Sequence, residues 1–371
     1  MSAPKIPATM DEVTPEWLTA ALRSSGVLKE ASVIAAPRVQ IGAGVGILGE
    51  LARVTLEYDR PEPNAPRTLV AKIPTADPAG RGLANMMGYY EREVRYYHEV
   101  GPRNVVGAPT CYYGDMDPPN VQYIVLLEDL AGIRIGDQVA GCSPDDARLV
   151  VDELAKLHAR WWDSPELAEL DWIPAANSPM LKLAQGAFLD AVDTFMEKLG
   201  HLLTDEQKDI ARRLGPRMNA MQDSFATGPQ TMLHADVRLD NIFFGSAHSA
   251  SPITLIDWQI LVTGRGPYDV GYFLSQSIDP AERKAIEESA LREYYQVLVN
   301  AGASNYSWEQ CWDDYRLATL FCLAYPVISG GSIDLANDRG VTLVIAMTTR
   351  SITAITDLNC GELLDRFEPA T

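Results

Sequence analysis

The spacing of apolar positions changes along the chain near residue 130. Before that point most apolar runs are short and alternate with polar residues. Beyond it they recur every three or four positions over long stretches. "TPEWLTAALRSSG" predicts an opening helix, with Thr14 as N-cap, Pro15 at the first helical position and Gly26 as the stop. In "VQIGAGVGILGELARVTLEYD", Val54, Leu56 and Tyr58 alternate with Arg53, Thr55 and Glu57, so a strand follows the glycines. "TLVAKIP" predicts a second strand, and "PTCYYGD" and "VQYIVLLEDL" two more, separated by "MDPPN". Between them, Leu83 to Glu99 has helical spacing, with Met86, Tyr90, Glu93 and Tyr97 on the inward stripe and Glu91 and Arg92 off it.

Past Gly132, "SPDDARLVVDELAKLHARWWD" opens with Ser143 as cap, Pro144 and two acids in the first turn, as the helix dipole favours. Further helical patterns cover 179–200, 205–225, 280–301, 308–325 and 341–358. The expected division is a strand-rich region, 1–130, followed by a helix-rich region, 131–371.

Composition narrows the class. With 371 residues, 47% hydrophobic and 22% charged, the chain has ample material for a large core. A net charge of -19 disfavours a nucleic-acid binder, since little here would neutralise phosphates. It suits a cationic substrate, and equally an ordinary acidic protein. The five cysteines are odd in number and never spaced C-x-x-C, which favours reduced thiols over disulfides or zinc. The first residues lack the apolar stretch of a signal peptide, and no run approaches the ~18 apolar residues of a membrane span. The expectation is a cytoplasmic protein with no membrane or nucleic-acid partner, a monomer or a homodimer.

Four groups of residues carry candidate chemistry. Gly44, Gly46 and Gly49 match G-x-G-x-x-G, a weak signal alone. A strand rather than a helix follows, so the glycines belong to a hairpin whose backbone N–H groups can lie over phosphates. Lys72 sits in an apolar strand, where an unpaired ammonium is expensive; Glu93 on the inward face of the next helix is its expected partner. A lysine at a strand edge with its head in water is the competing reading.

The densest signal is "LHADVRLDN", residues 233–241. The pattern H-x-D-x-[KR]-x-x-N should arise by chance in roughly one chain in a thousand of this length. Asn241 precedes "IFF", a turn follows, and "ITLI" leads into Asp257. If the two runs pair as a hairpin, Asn241 and Asp257 stand at the same end, both oxygen donors suited to Mg²⁺. Asp236 is then free to orient a substrate hydroxyl, and Arg238 to offset charge on a moving phosphoryl group. Asp269 in "GPYDVGYF" reads as a brace accepting backbone N–H bonds from this loop. His234 and His158 read as structural hydrogen-bonding residues.

These motifs resemble those of the aminoglycoside phosphotransferase and choline kinase-like families of small-molecule kinases. "LVAKIP", "EREVRYYHEV", "YIVLLEDL", "LAKLHARWW" and "GRGPYDVGYFL" fall in the order that resemblance expects. The "LLEDL" and "DWQ" forms and the Trp161-Trp162 pair look more like the broad phosphotransferase and ecdysteroid-kinase-like group than like the drug-resistance branch. The resemblance implies an α+β, two-lobed, protein-kinase-like fold: an N-lobe with an antiparallel sheet and a helix, and a mainly helical C-lobe. It implies Asp236 as catalytic aspartate, Asn241 and Asp257 as Mg²⁺ ligands, Lys72 on the nucleotide phosphates with Glu93 paired to it, and Leu127, Glu128 and Asp129 as the hinge meeting adenine. ATP is the implied donor, with GTP left open because hinge contacts are made by backbone. The acceptor is a small-molecule alcohol or amino alcohol. Two departures stand out. Trp258-Gln259 follows the metal aspartate where a protein kinase has Phe-Gly, and His234-Ala235 replaces the frequent His-Gly. An aminoglycoside-resistance kinase and a catalytically silent nucleotide-binding protein are the alternatives on the same fold. A metal hydrolase would gather several histidines, and the five present are scattered.

Overall fold

A computed structural model of the chain describes residues 3–42, 48–245 and 251–370. It divides into two compact units. The first comprises Met1–Asn104, Ala108–Ile133 and Ile256–Ile260; the second comprises Val105–Gly107, Arg134–Leu255 and Leu261–Thr371.

The N-terminal unit is built on a five-stranded antiparallel sheet. Its strands, in spatial order, are Arg38–Ile41, Gly49–Thr55, Thr68–Pro74, Gln122–Glu128 and Cys111–Asp117. Two-residue alternation sets the faces of the central strand. Leu69, Ala71 and Ile73 join Val54, Ile124, Leu126 and the helix residues Leu18 and Leu22 in one apolar cluster. Lys72 therefore projects from the opposite face. The opening helix runs Pro15–Ser24, with the Thr14 side chain accepting from the Trp17 N–H, as its capping pattern predicts.

The helical stretch expected over Leu83–Glu99 is two helices and a wide turn: Pro78–Met86, Tyr89–Arg95 and a π-turn at Tyr96–Val100. The break falls at Gly88, which takes φ +71°, a conformation that side chains other than glycine's resist. Two readings from the sequence fail as a result. Met86 lies on the first helix and is 54% exposed rather than inward. Arg92, read as outward, is buried at 6%, because its guanidinium reaches back to the Met87 carbonyl and across to the Gln259 carbonyl.

The C-terminal unit is mainly helical. Its long helices include Pro144–Trp161, Leu183–Leu199, Pro267–Ser277, Pro280–Asn300, Trp308–Phe321 and Asp338–Asp357. The pattern over 205–225 splits into Asp205–Leu214 and Met218–Phe225, interrupted at Gly215-Pro216. Two small sheets frame the loop at 233–241. Thr231–Leu233 pairs with Val262–Gly264 before it, and Ile242–Phe244 pairs with Ile253–Leu255 and Arg134–Ile135 after it. Among the described residues no single helix is long and apolar enough to cross a membrane.

Candidate active site

In the N-terminal unit the chemistry gathers around Lys72. Its Nζ lies 2.9 Å from Glu93 Oε1 and 2.9 Å from Asp257 Oδ1. Burial pulls the ammonium pKa down, but the two carboxylates outweigh it and hold the group well above its ordinary value. Lys72 is therefore a fixed positive charge. Glu93, buried at 1%, has its carboxyl pushed up by desolvation, which Lys72 opposes.

Asp257 takes φ +65°, in the left-handed region, and its Oδ2 accepts from Gln259 Nε2 at 3.3 Å. The helix carrying Glu93 is tied to the Asp257 segment at two further points. Arg92 Nη1 donates to the Gln259 carbonyl at 3.0 Å, and the Tyr96 ring stacks on Trp258 with centroids 4.0 Å apart. Trp258-Gln259, the departure from Phe-Gly, thus anchors the helix that presents Glu93. Tyr90 adds a third strut: its hydroxyl donates to the Leu48 carbonyl at 2.8 Å, beside the glycine segment. Gly44 and Gly46 lie outside the described residues; Gly49 opens the strand that pairs with the Lys72 strand, Gly49 opposite Pro74.

The expected hinge ends the Gln122–Glu128 strand. Leu127 is paired within the sheet, opposite Val70 and Cys111. The Glu128 carboxylate accepts from Thr110 N and Oγ1, both at 3.0 Å, and Asp129 accepts from Arg53 Nε at 2.9 Å. Both acidic side chains are thus engaged within the unit.

In the C-terminal unit the nine-residue loop is pinned at every turn. Asp269 is fully buried and accepts from the backbone N–H of His234 at 2.8 Å and Ala235 at 2.9 Å, as its position after the loop suggested. His158 Nε2 lies 3.2 Å from the same carboxylate, and its Nδ1 lies 2.8 Å from the Tyr294 hydroxyl, so this histidine is a satisfied core residue. His234 is likewise buried, and its Nδ1 accepts from the Asp236 N–H at 3.3 Å. Ala235 adopts φ +62°. Glycine would adopt that backbone freely; alanine adopts it at some cost.

The Asp236 carboxylate is fixed through both oxygens. Tyr272 donates its hydroxyl to Oδ1 at 3.0 Å, and Asn241 Nδ2 donates to Oδ2 at 2.9 Å and to the Asp236 carbonyl at 3.0 Å. Burial, then the neighbouring Asp236, push the Tyr272 phenol well above its ordinary pKa, so it remains a donor. Committing its nitrogen to Asp236 turns the Asn241 carbonyl, the atom suited to a hard cation, the other way. Arg238 Nε stands 3.6 Å from Asp236, and its Nη1 3.6 Å from Asp240. The hairpin after the loop pairs Ile242 with Leu255, one residue after Asn241 and two before Asp257.

Sequence reasoning missed Tyr272: it lies three residues after Asp269 on one helix, hence on the same face, but that helix is buried all round and carries no polar stripe to announce it. It also missed Tyr325, whose hydroxyl donates to the Ala235 carbonyl at 3.2 Å and lies 2.9 Å from that of Tyr268.

Solved structures with the same fold bear on these two halves. An aminoglycoside phosphotransferase provisionally assigned in Ralstonia eutropha aligns over 95% of this chain and 98% of its own, with 15% identity and a TM-score of 0.51. A choline kinase from Cryptosporidium parvum aligns over 89% of each chain, with 10% identity and a TM-score of 0.50. Aminoglycoside 2'-phosphotransferase-IIIa, solved with GDP, aligns over 86% of this chain and 93% of its own, with 16% identity and a TM-score of 0.51. The fold is that of the two-lobed, kinase-like α+β proteins. Residues 44–304 match the ecdysteroid kinase-like family, more than half of the chain. The chain therefore belongs to the ecdysteroid kinase-like family. No protein of curated function matches it.

Proposed function

We propose that this protein transfers the γ-phosphate of ATP to a hydroxyl of a small-molecule alcohol or amino alcohol, with Mg²⁺ bound by Asn241 and Asp257. The observation that carries the reading is the Asp236 carboxylate, held at both oxygens by Tyr272 and Asn241. A carboxylate so fixed can accept the hydrogen bond of an incoming hydroxyl in one orientation, and phosphoryl transfer depends chiefly on such positioning.

The other roles follow from charge and placement. Lys72 contributes a permanent positive charge for the α- and β-phosphates, and Glu93 holds its side chain in place. Gly44 and Gly46 cover the phosphates with backbone. Of the expected hinge, Leu127 is paired within the sheet on both sides and the Glu128 N–H is given to the Thr110 carbonyl, so the backbone contact with adenine is assigned to the Asp129 end of Leu127 to Asp129. Arg238 offsets charge gathering on the phosphoryl group. The donors fit Mg²⁺, which takes one or two carboxylates and other hard oxygens; when bound, it neutralises phosphate charge.

The test is Mg²⁺-dependent ATP consumption across aminoglycosides, amino alcohols, sterols and hydroxyacyl-CoA thioesters, with Asp236→Asn alongside. One class should stimulate turnover in the parent and not in the variant. ATP consumption that Asp236→Asn leaves intact would sink the assignment of Asp236.

A further inference from the structure

The segment Gly136-Asp137-Gln138 lies against the loop that ends in Asn241, and it grips the residues on either side of that asparagine. The Gly136 N–H donates to the Ile242 carbonyl at 2.9 Å. A Cβ at Gly136 would lie 2.6 Å from the Leu239 carbonyl oxygen, so only glycine lets the two backbones approach this closely. The Gln138 N–H donates to Asp240 Oδ1 at 3.2 Å. Its side chain, 1% exposed, is used at both ends: Oε1 accepts from the Leu239 N–H at 2.7 Å, and Nε2 donates to the Gln276 carbonyl at 2.9 Å. Leu239, Asp240 and Ile242 are all held, and Asn241 is the residue they surround.

A second layer fixes the clamp itself. Arg350, on the Asp338–Asp357 helix, donates through Nη1 to the carbonyls of Gln138 at 2.7 Å and Gln276 at 3.1 Å, and through Nη2 to that of Val139 at 3.0 Å. Gln276 belongs to the helix that also presents Asp269 and Tyr272. The buried amide of Gln138 therefore joins the metal-side end of the loop to the helix that braces its catalytic end.

We infer that Gln138 is a positioning residue for phosphoryl transfer, acting through the Leu239–Asn241 turn to set where the Asn241 carbonyl stands. The inference rests on the proposed role of Asn241 as a Mg²⁺ ligand. Residues that orient metal ligands typically contribute 10- to 100-fold to metal affinity or activity. The effect falls on the metal, because nucleotide contacts are assigned to the other unit.

The test measures Mn²⁺ binding in the presence of the ATP analogue AMP-PNP, AMP-PNP binding without metal, and amide exchange across residues 236–242, in the parent and in Gln138→Met. The expected result is about 10- to 100-fold weaker Mn²⁺ binding, unchanged metal-free AMP-PNP binding and faster exchange at Leu239. A purely structural role would weaken both bindings together, and that outcome overturns the proposal. So does Mn²⁺ affinity and exchange equal to the parent's. If the parent itself binds no Mn²⁺ with AMP-PNP, the assignment of Asn241 falls instead, and this proposal falls with it; exchange at Leu239 then reports only whether the clamp exists. Should Gln138→Met fail to fold, Arg350→Met carries the same measurements one layer out.

Discussion

Asp236 illustrates how much of a site one residue's neighbours decide. Both carboxylate oxygens are engaged, by Tyr272 and by Asn241, so its orientation is set before any substrate arrives. Asp236→Ala should lower turnover by about 10²- to 10⁴-fold, the usual weight of one acid–base participant. Tyr272→Phe removes one hydrogen bond to a carboxylate, about 1.5 kcal/mol, and should cost on the order of tenfold, in kcat more than in KM for the nucleotide. Steady-state kinetics on both variants checks the ranking; a Tyr272→Phe enzyme as slow as Asp236→Ala would mean that the tyrosine does more than orient. Ala235 offers a structural check at the same scale. Its φ of +62° leaves room for glycine but not for a β-branched side chain. Ala235→Gly should stay within about 1 kcal/mol of the parent, and Ala235→Val should lose on the order of 2–3 kcal/mol, read from urea midpoints.

At the scale of elements, the sequence is legible where an element has two different faces. The Thr68–Pro74 strand and the Pro144–Trp161 helix emerge where capping and alternation place them. The helix Pro267–Ser277 was not legible, because all eleven of its residues are buried and no polar stripe marks its period. Its role could still be read, since Asp269 accepts the two backbone bonds expected of it. Arg92 was misread because period alone cannot show that an arginine's donors will find carbonyls around it. Trp258 ties the Glu93 helix to the Asp257 segment: it is fully buried and stacked on Tyr96. Trp258→Ala should destabilise the protein by about 3–5 kcal/mol. It should also loosen Glu93, so, on the proposed function, the KM for the nucleotide should rise in whatever folded protein remains. Unchanged stability would mean that the stack contributes nothing.

At the scale of the whole molecule, the N-terminal unit takes in Ile256–Ile260, more than a hundred residues beyond the rest of it. Asp257 is one of the two carboxylates on Lys72, so the charge balance of that unit depends on chain supplied late. That dependence could not be read from any local pattern. The cysteines show another property of the assembled chain. All five are free, and burial pushes each thiol up: Cys111, Cys142 and Cys360 to about 12, Cys311 and Cys322 further. The native protein should therefore react slowly with a thiol reagent at pH 8, with all five sites appearing once guanidinium unfolds it. The same shifts fix a sign for stability. Above the ordinary thiol value of 9.0 the unfolded chain releases thiol protons that the folded chain keeps, so unfolding gains as pH rises toward 12. A buried thiol such as Cys360 should remove up to about 1.4 kcal/mol per pH unit across that window, and the half-buried Cys111 and Cys142 less. Urea midpoints at pH 7, 9 and 10 should dip over the first step, where about half of the unfolded thiols ionise, and fall more steeply over the second. A midpoint that holds at pH 10 would mean that the thiols ionise without unfolding the chain around them, and that the helices packed on Cys311, Cys322 and Cys360 open to solvent more readily than their burial implies.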